Sequence, residues 1–225
     1  MTFRALGLTL AAFAALATTS AAHADEACAL DLGRGWPPAT ENYGTAVEQL
    51  FFGGDKPVLS LTRLPARSAE SGVQLFAGEG EGDWRLRYTQ ADERIEVWSG
   101  GKRELRIGQQ PEVIEVPMPA ALARRVVADW QRALSTQVPA DRTAQFHEGE
   151  VLLFVVDDAA AGGSLRVSGL QPGCGPTAEL MEQVGLLIEA TDDSDEKRYK
   201  RWRELEESLD ELDVQLEQTL AGATG

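Results

Sequence analysis

Histidine and cysteine, which carry much of enzyme catalysis and most transition-metal binding, are scarce in this chain. It contains 2 histidines and 2 cysteines in 225 residues. His23 lies among the first 24 residues, so His147 is the single imidazole of the rest. Zinc, copper and iron sites need several histidines or free cysteines. The sequence therefore predicts no such metal site, and we expect no cofactor.

The chain also lacks the motifs with which common hydrolases place a nucleophile or a metal. There is no G-x-S-x-G, no S-x-x-K and no H-E-x-x-H, since the fourth residue after His147 is Val151. Asp157 and Asp158 are adjacent carboxylates, but neighbours on a strand point to opposite faces. We interpret them as strand-ending turn residues and His147 as a solvated loop residue. No catalytic residue is predicted.

Two acidic segments contain the oxygen ligands that calcium prefers. They are GEGEGD at residues 78–83 and TDDSDE at residues 191–196. Neither follows the EF-hand pattern, because no glycine falls at the required place. A hairpin turn for the first and a helix cap for the second are the preferred interpretations.

The first 24 residues have the layout of a secretory signal peptide. Arg4 precedes an apolar run over residues 6–17, and the small residues that follow end in Ala-His-Ala at 22–24. This pattern predicts cleavage before Asp25. The apolar run is too short to span a bilayer. We therefore expect a periplasmic or secreted protein with no stable membrane anchor after cleavage.

The two cysteines suit a disulfide in such a compartment. Pairing Cys28 with Cys174 leaves no odd thiol under oxidising conditions. Cys174 also precedes a predicted helix over residues 176–190, a place where the helix dipole can activate a thiol. A reactive thiol is thus the alternative, and a structural disulfide is the preferred interpretation.

Acidic residues outnumber basic ones. The formal net charge is −15, and 43% of the residues are hydrophobic. The hydrophobic fraction favours a folded domain over disorder. An acidic chain repels phosphate backbones and anionic membrane surfaces. We therefore expect no nucleic-acid partner.

Short strands dominate residues 58–117. In the segment WRLRY, apolar Trp84, Leu86 and Tyr88 alternate with Arg85 and Arg87, as in a half-buried strand. Turn signals such as SGGK separate these strands, which favours an antiparallel meander. Before them, the sequence indicates an irregular arm at residues 25–39 and a short helix.

After residue 117 the sequence predicts two helices with two further strands between them. Apolar residues recur at helical spacing over 119–134 and 176–190, and strands are predicted at 151–156 and 164–170. Because residues 151–156 are apolar on both faces, we expect a central strand there. The fold class predicted is α+β: an antiparallel sheet of about six to eight strands with two or three helices packed on one face, plus an amphipathic C-terminal helix. A single domain is expected over residues 25–191.

Residues 192–225 form a charged amphipathic helix and tail. Its apolar residues recur at steps of three and four, a short seam typical of a coiled coil: Trp202, Leu205, Leu209, Leu212 and Leu216. This seam either packs on its own domain, which we prefer, or binds another chain. The five residues are therefore candidate partner-binding residues.

Trp98 and Trp36 are two aromatics that periodicity does not place in a core. Trp98 lies on the strand face opposite Ile95 and Val97, beside the SGGK turn, so it is a candidate partner anchor. Partial burial under a loop is the preferred interpretation for both tryptophans. We expect an exported, non-catalytic protein that works through its surface as a binding, inhibitory or assembly module. A hydrolase that uses carboxylates or His147 in a cleft is the second hypothesis.

Overall fold

A computed structural model describes residues 32–80, 82–139, 149–158, 162–170 and 175–223. In chain order the elements are β1 (Leu32–Arg34), α1 (Pro38–Phe52), β2 (Leu59–Leu64), β3 (Ser71–Phe76), β4 (Trp84–Gln90), β5 (Glu96–Ser99), β6 (Lys102–Leu105), β7 (Glu112–Met118), α2 (Ala120–Ser135), β8 (Val151–Asp158), β9 (Gly163–Leu170), α3 (Pro176–Asp192) and α4 (Asp195–Ala223). The leader at 1–24, Cys28, Cys174 and His147 lie outside the described residues, so the expectations about them stay predictions.

Seven strands form one antiparallel sheet in the order β1-β9-β8-β2-β3-β4-β7. The predicted α+β class is confirmed, and β8 is an interior strand as its apolar run indicates. The meander is interrupted, however. β5 and β6 leave the sheet as a separate two-stranded hairpin, and the chain returns to pair β7 with β4.

The larger core lies between the sheet and the three later helices. Proline stands just before α2 and at the first position of α3, where a missing N–H does not break a helical hydrogen bond. Alternate residues of β2 and β8 point into this core: Leu59, Leu61, Leu152, Phe154 and Val156. The ring of Phe154 meets that of Trp130 on α2 edge to face, with centroids 5.8 Å apart. Helices therefore cover this face, as predicted.

The opposite face of the sheet is covered by α1 and a smaller apolar cluster. Tyr43, Val47 and Phe51 of α1 pack there with Leu153 of β8. Gly44 makes the close approach between helix and sheet possible, because a Cβ at this position would collide with the Leu153 side chain. Placing α1 on this face adds a layer that the sequence did not predict.

The C-terminal helix α4 is part of the larger core. All five residues of its apolar seam are buried there: Trp202, Leu205, Leu209, Leu212 and Leu216. Ion pairs also join α4 to α2, since Arg125 lies 2.5 Å from Asp210 and Arg132 pairs with Asp213. The seam thus packs on its own domain, which is the alternative preferred from the sequence.

Candidate functional site

The β5–β6 hairpin carries the most exposed tryptophan of the described chain. Its strands are joined at Gly100 and Gly101, whose φ angles of 57° and 78° are both positive. Glycine adopts this conformation without strain, and two such residues form the type I′ turn that suits a twisted hairpin. Trp98 lies next to this turn, opposite Arg103 on β6, and is 68% exposed. The structure therefore places an aromatic ring at the hairpin tip.

The base of the hairpin, in contrast, is buried. Ile95 and Glu96 are both inaccessible to solvent or nearly so. The Glu96 carboxylate pairs with Arg103, whose guanidinium carbon lies 5.7 Å from the centre of the Tyr43 ring. The base of the hairpin therefore packs against α1, while its tip is exposed to solvent.

Glu70 lies under this base, immediately before β3, and is 0% exposed. Its carboxylate accepts hydrogen bonds from the Tyr43 hydroxyl, from the Ile95 amide at 2.8 Å and from the Glu96 amide at 3.4 Å. Burial, followed by the bond to Glu70, raises the pKa of the Tyr43 phenol above its ordinary value. Tyr43 therefore stays neutral, and its hydroxyl donates a hydrogen bond to the carboxylate.

A second set of contacts closes the segment that follows β6. Arg106 pairs with Glu93 at 2.6 Å. Gln109 accepts from the Glu93 amide at 2.8 Å and donates to the Arg106 carbonyl at 2.8 Å. Beyond these polar contacts, Ile107 and Val113 are also exposed. The connection between β4 and β7, together with the start of β7, thus presents three large apolar side chains to solvent.

The other candidate partner-binding residues do not join this surface. Trp202 and the four leucines of the α4 seam lie in the larger core, and Trp98 is outside that cluster. A partner could reach the seam only if α4 left the domain. On the outward side of α4, Tyr199 is 74% exposed. Any contact through the intact helix must use that outward side.

Trp36 is not an open anchor. It is buried in the smaller cluster, and the Arg166 guanidinium stacks on its ring at 4.4 Å. The burial preferred from the sequence for both tryptophans is found for Trp36 and is wrong for Trp98, which is 68% exposed.

The carboxylates considered for catalysis end a strand. Asp157 and Asp158 are the last two residues of β8, and Asp157 lies 3.5 Å from Lys56. A shallow depression beside them is open to solvent and contains Gly162 and Ser164. Asp157 therefore takes part in a surface ion pair at the end of β8.

Neither acidic segment forms a metal centre in the part of the chain that is described. No group of three or more His, Cys, Asp or Glu residues there is arranged to bind a metal. Asp193 accepts from Arg201 at 3.0 Å, and Asp195 accepts from Arg198 at 2.6 Å. The first contact connects the end of α3 with α4, and the second lies within α4. None of the described helices has the length and apolar character needed to cross a bilayer.

The sequence pattern did not predict the burial of two carboxyls, those of Glu70 and Glu48. Glu48 is on α1 and 6% exposed, and burial raises its pKa to about 7 although the charge of Arg166 acts against this change. One carboxylate oxygen of Glu48 has no hydrogen-bond partner among the described residues. The sequence did contain an indication that Glu48 is buried. It follows Val47 and lies four residues after Gly44, on the same helix face.

No protein-family model matches the chain, and no curated protein or solved structure is significantly similar to it. The candidate surface therefore depends on the hairpin geometry, on the buried groups at its base and on the exposure of Trp98.

Proposed function

We propose that this chain is an exported, periplasmic or secreted protein that works without catalysis, through its surface, as a binding, inhibitory or assembly module. The β5–β6 hairpin is its contact surface and Trp98 the anchor. The observation that supports this is a tryptophan 68% exposed at the tip of a hairpin whose base is buried. Tryptophan and arginine are the residues most enriched among binding hot spots.

The way the hairpin is supported favours binding. A surface that is already ordered loses less conformational entropy on association than a flexible loop does. The Gly100–Gly101 turn fixes the tip, while Ile95 and Glu96 are buried at the base. Trp98 is thus presented by an element that does not have to fold on contact.

Residues around Trp98 suggest the kind of partner. Arg103 is its cross-strand neighbour, and Lys102 is exposed at the turn. An apolar pocket on a protein, with an acidic group at its rim for Lys102, matches this indole ring. The outward side of α4, with Tyr199, is the second surface available to a partner.

The experiment captures partners from periplasmic extract with immobilised protein and measures them by mass spectrometry. Three forms beginning at Asp25 are compared: wild type, Trp98→Ala and the matched control Tyr199→Ala, which removes another exposed aromatic. We expect wild type and Tyr199→Ala to capture the same protein and Trp98→Ala to lose it.

With that protein purified, Trp98→Ala should raise the Kd at least about tenfold, a typical cost for a hot-spot residue. Unchanged capture by Trp98→Ala would contradict the hairpin as the contact surface. Loss of capture by Tyr199→Ala alone would move the contact to α4. Thermal unfolding of each variant checks that the fold is intact.

A further inference from the structure

We propose that Glu70 is a positioning residue, whose buried carboxylate fixes the β5–β6 hairpin, and with it Trp98, in the orientation that a partner meets. This inference depends on the proposed function of the hairpin. It assigns a role in that function to a residue that cannot itself touch the partner.

The hairpin is not part of the large sheet. β5 and β6 pair with each other, in a two-stranded sheet separate from the seven-stranded one. Among the strands that are described, no ladder of backbone hydrogen bonds therefore sets the angle between the hairpin and the large sheet. Within the described residues, the backbone amides at the start of β5 bond to a side chain instead, the carboxylate of Glu70.

Both carboxylate oxygens of Glu70 are used in this arrangement. Oε2 accepts from the Ile95 amide at 2.8 Å, while Oε1 accepts from the Tyr43 hydroxyl and, at 3.4 Å, from the Glu96 amide. The Glu70 carbonyl also accepts from the Ala91 amide at 2.9 Å. One residue thus joins α1, the start of β3, the end of β4 and the hairpin.

Hydrogen bonds to a buried carboxylate are strong and directional. A charged acceptor gives shorter and stronger bonds than a neutral one, and a buried carboxylate without donors is very unfavourable. Glu70, which is 0% exposed, therefore constrains its three donors to stay in place. A neutral side chain of the same shape would constrain them less.

The constraint extends from Glu70 to Trp98 through a short path. Glu96 is two residues before Trp98 on the same strand face, about 7 Å away at the usual rise of a strand. On the neighbouring strand, Arg103 is opposite Trp98, pairs with Glu96 and lies over the ring of Tyr43. A change in the bonds of Glu70 would tilt the strand that carries the indole.

The test compares Glu70→Gln with wild type. Glutamine keeps the shape of glutamate but replaces one acceptor oxygen with an NH₂ donor, so the three donors can no longer all be satisfied. Tyr43→Phe is the milder second variant, because it removes one donor and leaves the carboxylate. Glu104→Gln is the matched control, since Glu104 is exposed on β6 of the same hairpin.

Two readouts are used. The first is amide hydrogen exchange in the hairpin peptide 92–107, with the β8 peptide 151–158 as an internal reference for the core. The second is the affinity for the partner identified by Trp98-dependent capture. We expect Glu70→Gln to raise exchange in 92–107 about tenfold, to leave 151–158 protected and to weaken binding about tenfold.

The outcomes separate the two proposals. Wild-type exchange in residues 92–107 of Glu70→Gln would overturn the positioning role, whatever Trp98 does. Faster exchange there with unchanged affinity would also overturn it, while leaving Trp98 as the anchor. If Trp98→Ala itself keeps full capture, the function proposed for the hairpin fails and the positioning role fails with it. If Glu70→Gln loses protection in the core as well, Tyr43→Phe decides by the same criteria.

Discussion

Glu48 should make this protein less stable at neutral pH than at mildly acidic pH. Its carboxyl is buried between α1 and the sheet, and one oxygen has no hydrogen-bond partner among the described residues. Burial raises its pKa from an ordinary 4.5 to about 7, against the opposing effect of Arg166. The protonated carboxyl is thus the form that the folded state prefers.

The sign and size of the effect follow from proton linkage. Between pH 4.5 and 7 the unfolded chain releases the Glu48 proton while the folded chain keeps it, so folding stability falls as the pH rises. Below pH 4.5 Glu48 is protonated in both states, so its ionisation does not lower the free energy of unfolding. Above 7 the full cost applies, about 3 kcal/mol at roughly 1.4 kcal/mol for each pKa unit.

Urea unfolding of wild type and Glu48→Gln at pH 5 and pH 8 measures this cost. We expect the variant to be more stable by about 1 kcal/mol at pH 5 and by about 3 kcal/mol at pH 8. Comparing the two proteins at each pH removes the contributions of other carboxylates. The control is Glu41→Gln, an exposed position on the same helix. Glu48→Gln and wild type differing equally at both pH values would refute the reasoning.

Three substitutions and one deletion test the packing. Gly44→Ala should lower the free energy of unfolding by about 1–3 kcal/mol because its Cβ collides with Leu153, whereas Gly185→Ala in α3, where a Cβ meets nothing within 4 Å, should raise it by about 0.5–1 kcal/mol. Equal changes in urea unfolding would contradict this contrast. Thr62→Val should stabilise the fold by about 1 kcal/mol, since the hydroxyl is buried without a partner among the described residues; a lower melting temperature would show that a partner exists. Deleting residues 192–225 exposes the seam's core contacts and should abolish cooperative unfolding, so a cooperative melt of the truncated chain would count against that role of α4.

The spacing of apolar residues predicted strands and helices well where the direction of a side chain depends only on its neighbours in sequence. Trp84 and Leu86 are buried and Arg85 is exposed, as the alternation in β4 predicts. Arg87, predicted to face solvent, is buried instead, because its guanidinium pairs with Asp55 and Glu115. The strand at 151–156 is apolar on both faces because helices cover both sides of β8. The seam of α4 indicated burial, although the sequence could not say against which chain.

Features set by contacts distant in sequence could not be predicted. β1, read as part of an irregular arm, is a strand because it pairs with β9 near the other end of the chain. The hairpin has the same alternation as the sheet strands, so its departure from the sheet leaves no local signal. Glu70 precedes β3 as an isolated acid, and only the fold brings Tyr43 and Ile95 to it.

The pairing of β2 determines the order in which this chain can fold. β2 pairs on one side with β3, the next strand, and on the other with β8, so that Leu64 is opposite Val151. As the chain emerges from its N-terminal end, β2, β3 and β4 can associate early, but β2 keeps an unpaired edge until residues 151–158 emerge. The sheet face of the larger core is covered completely only after the α4 seam has emerged. Such distant pairings slow folding. In the export route proposed above, slower folding would favour passage of the newly made, unfolded chain through a translocation channel.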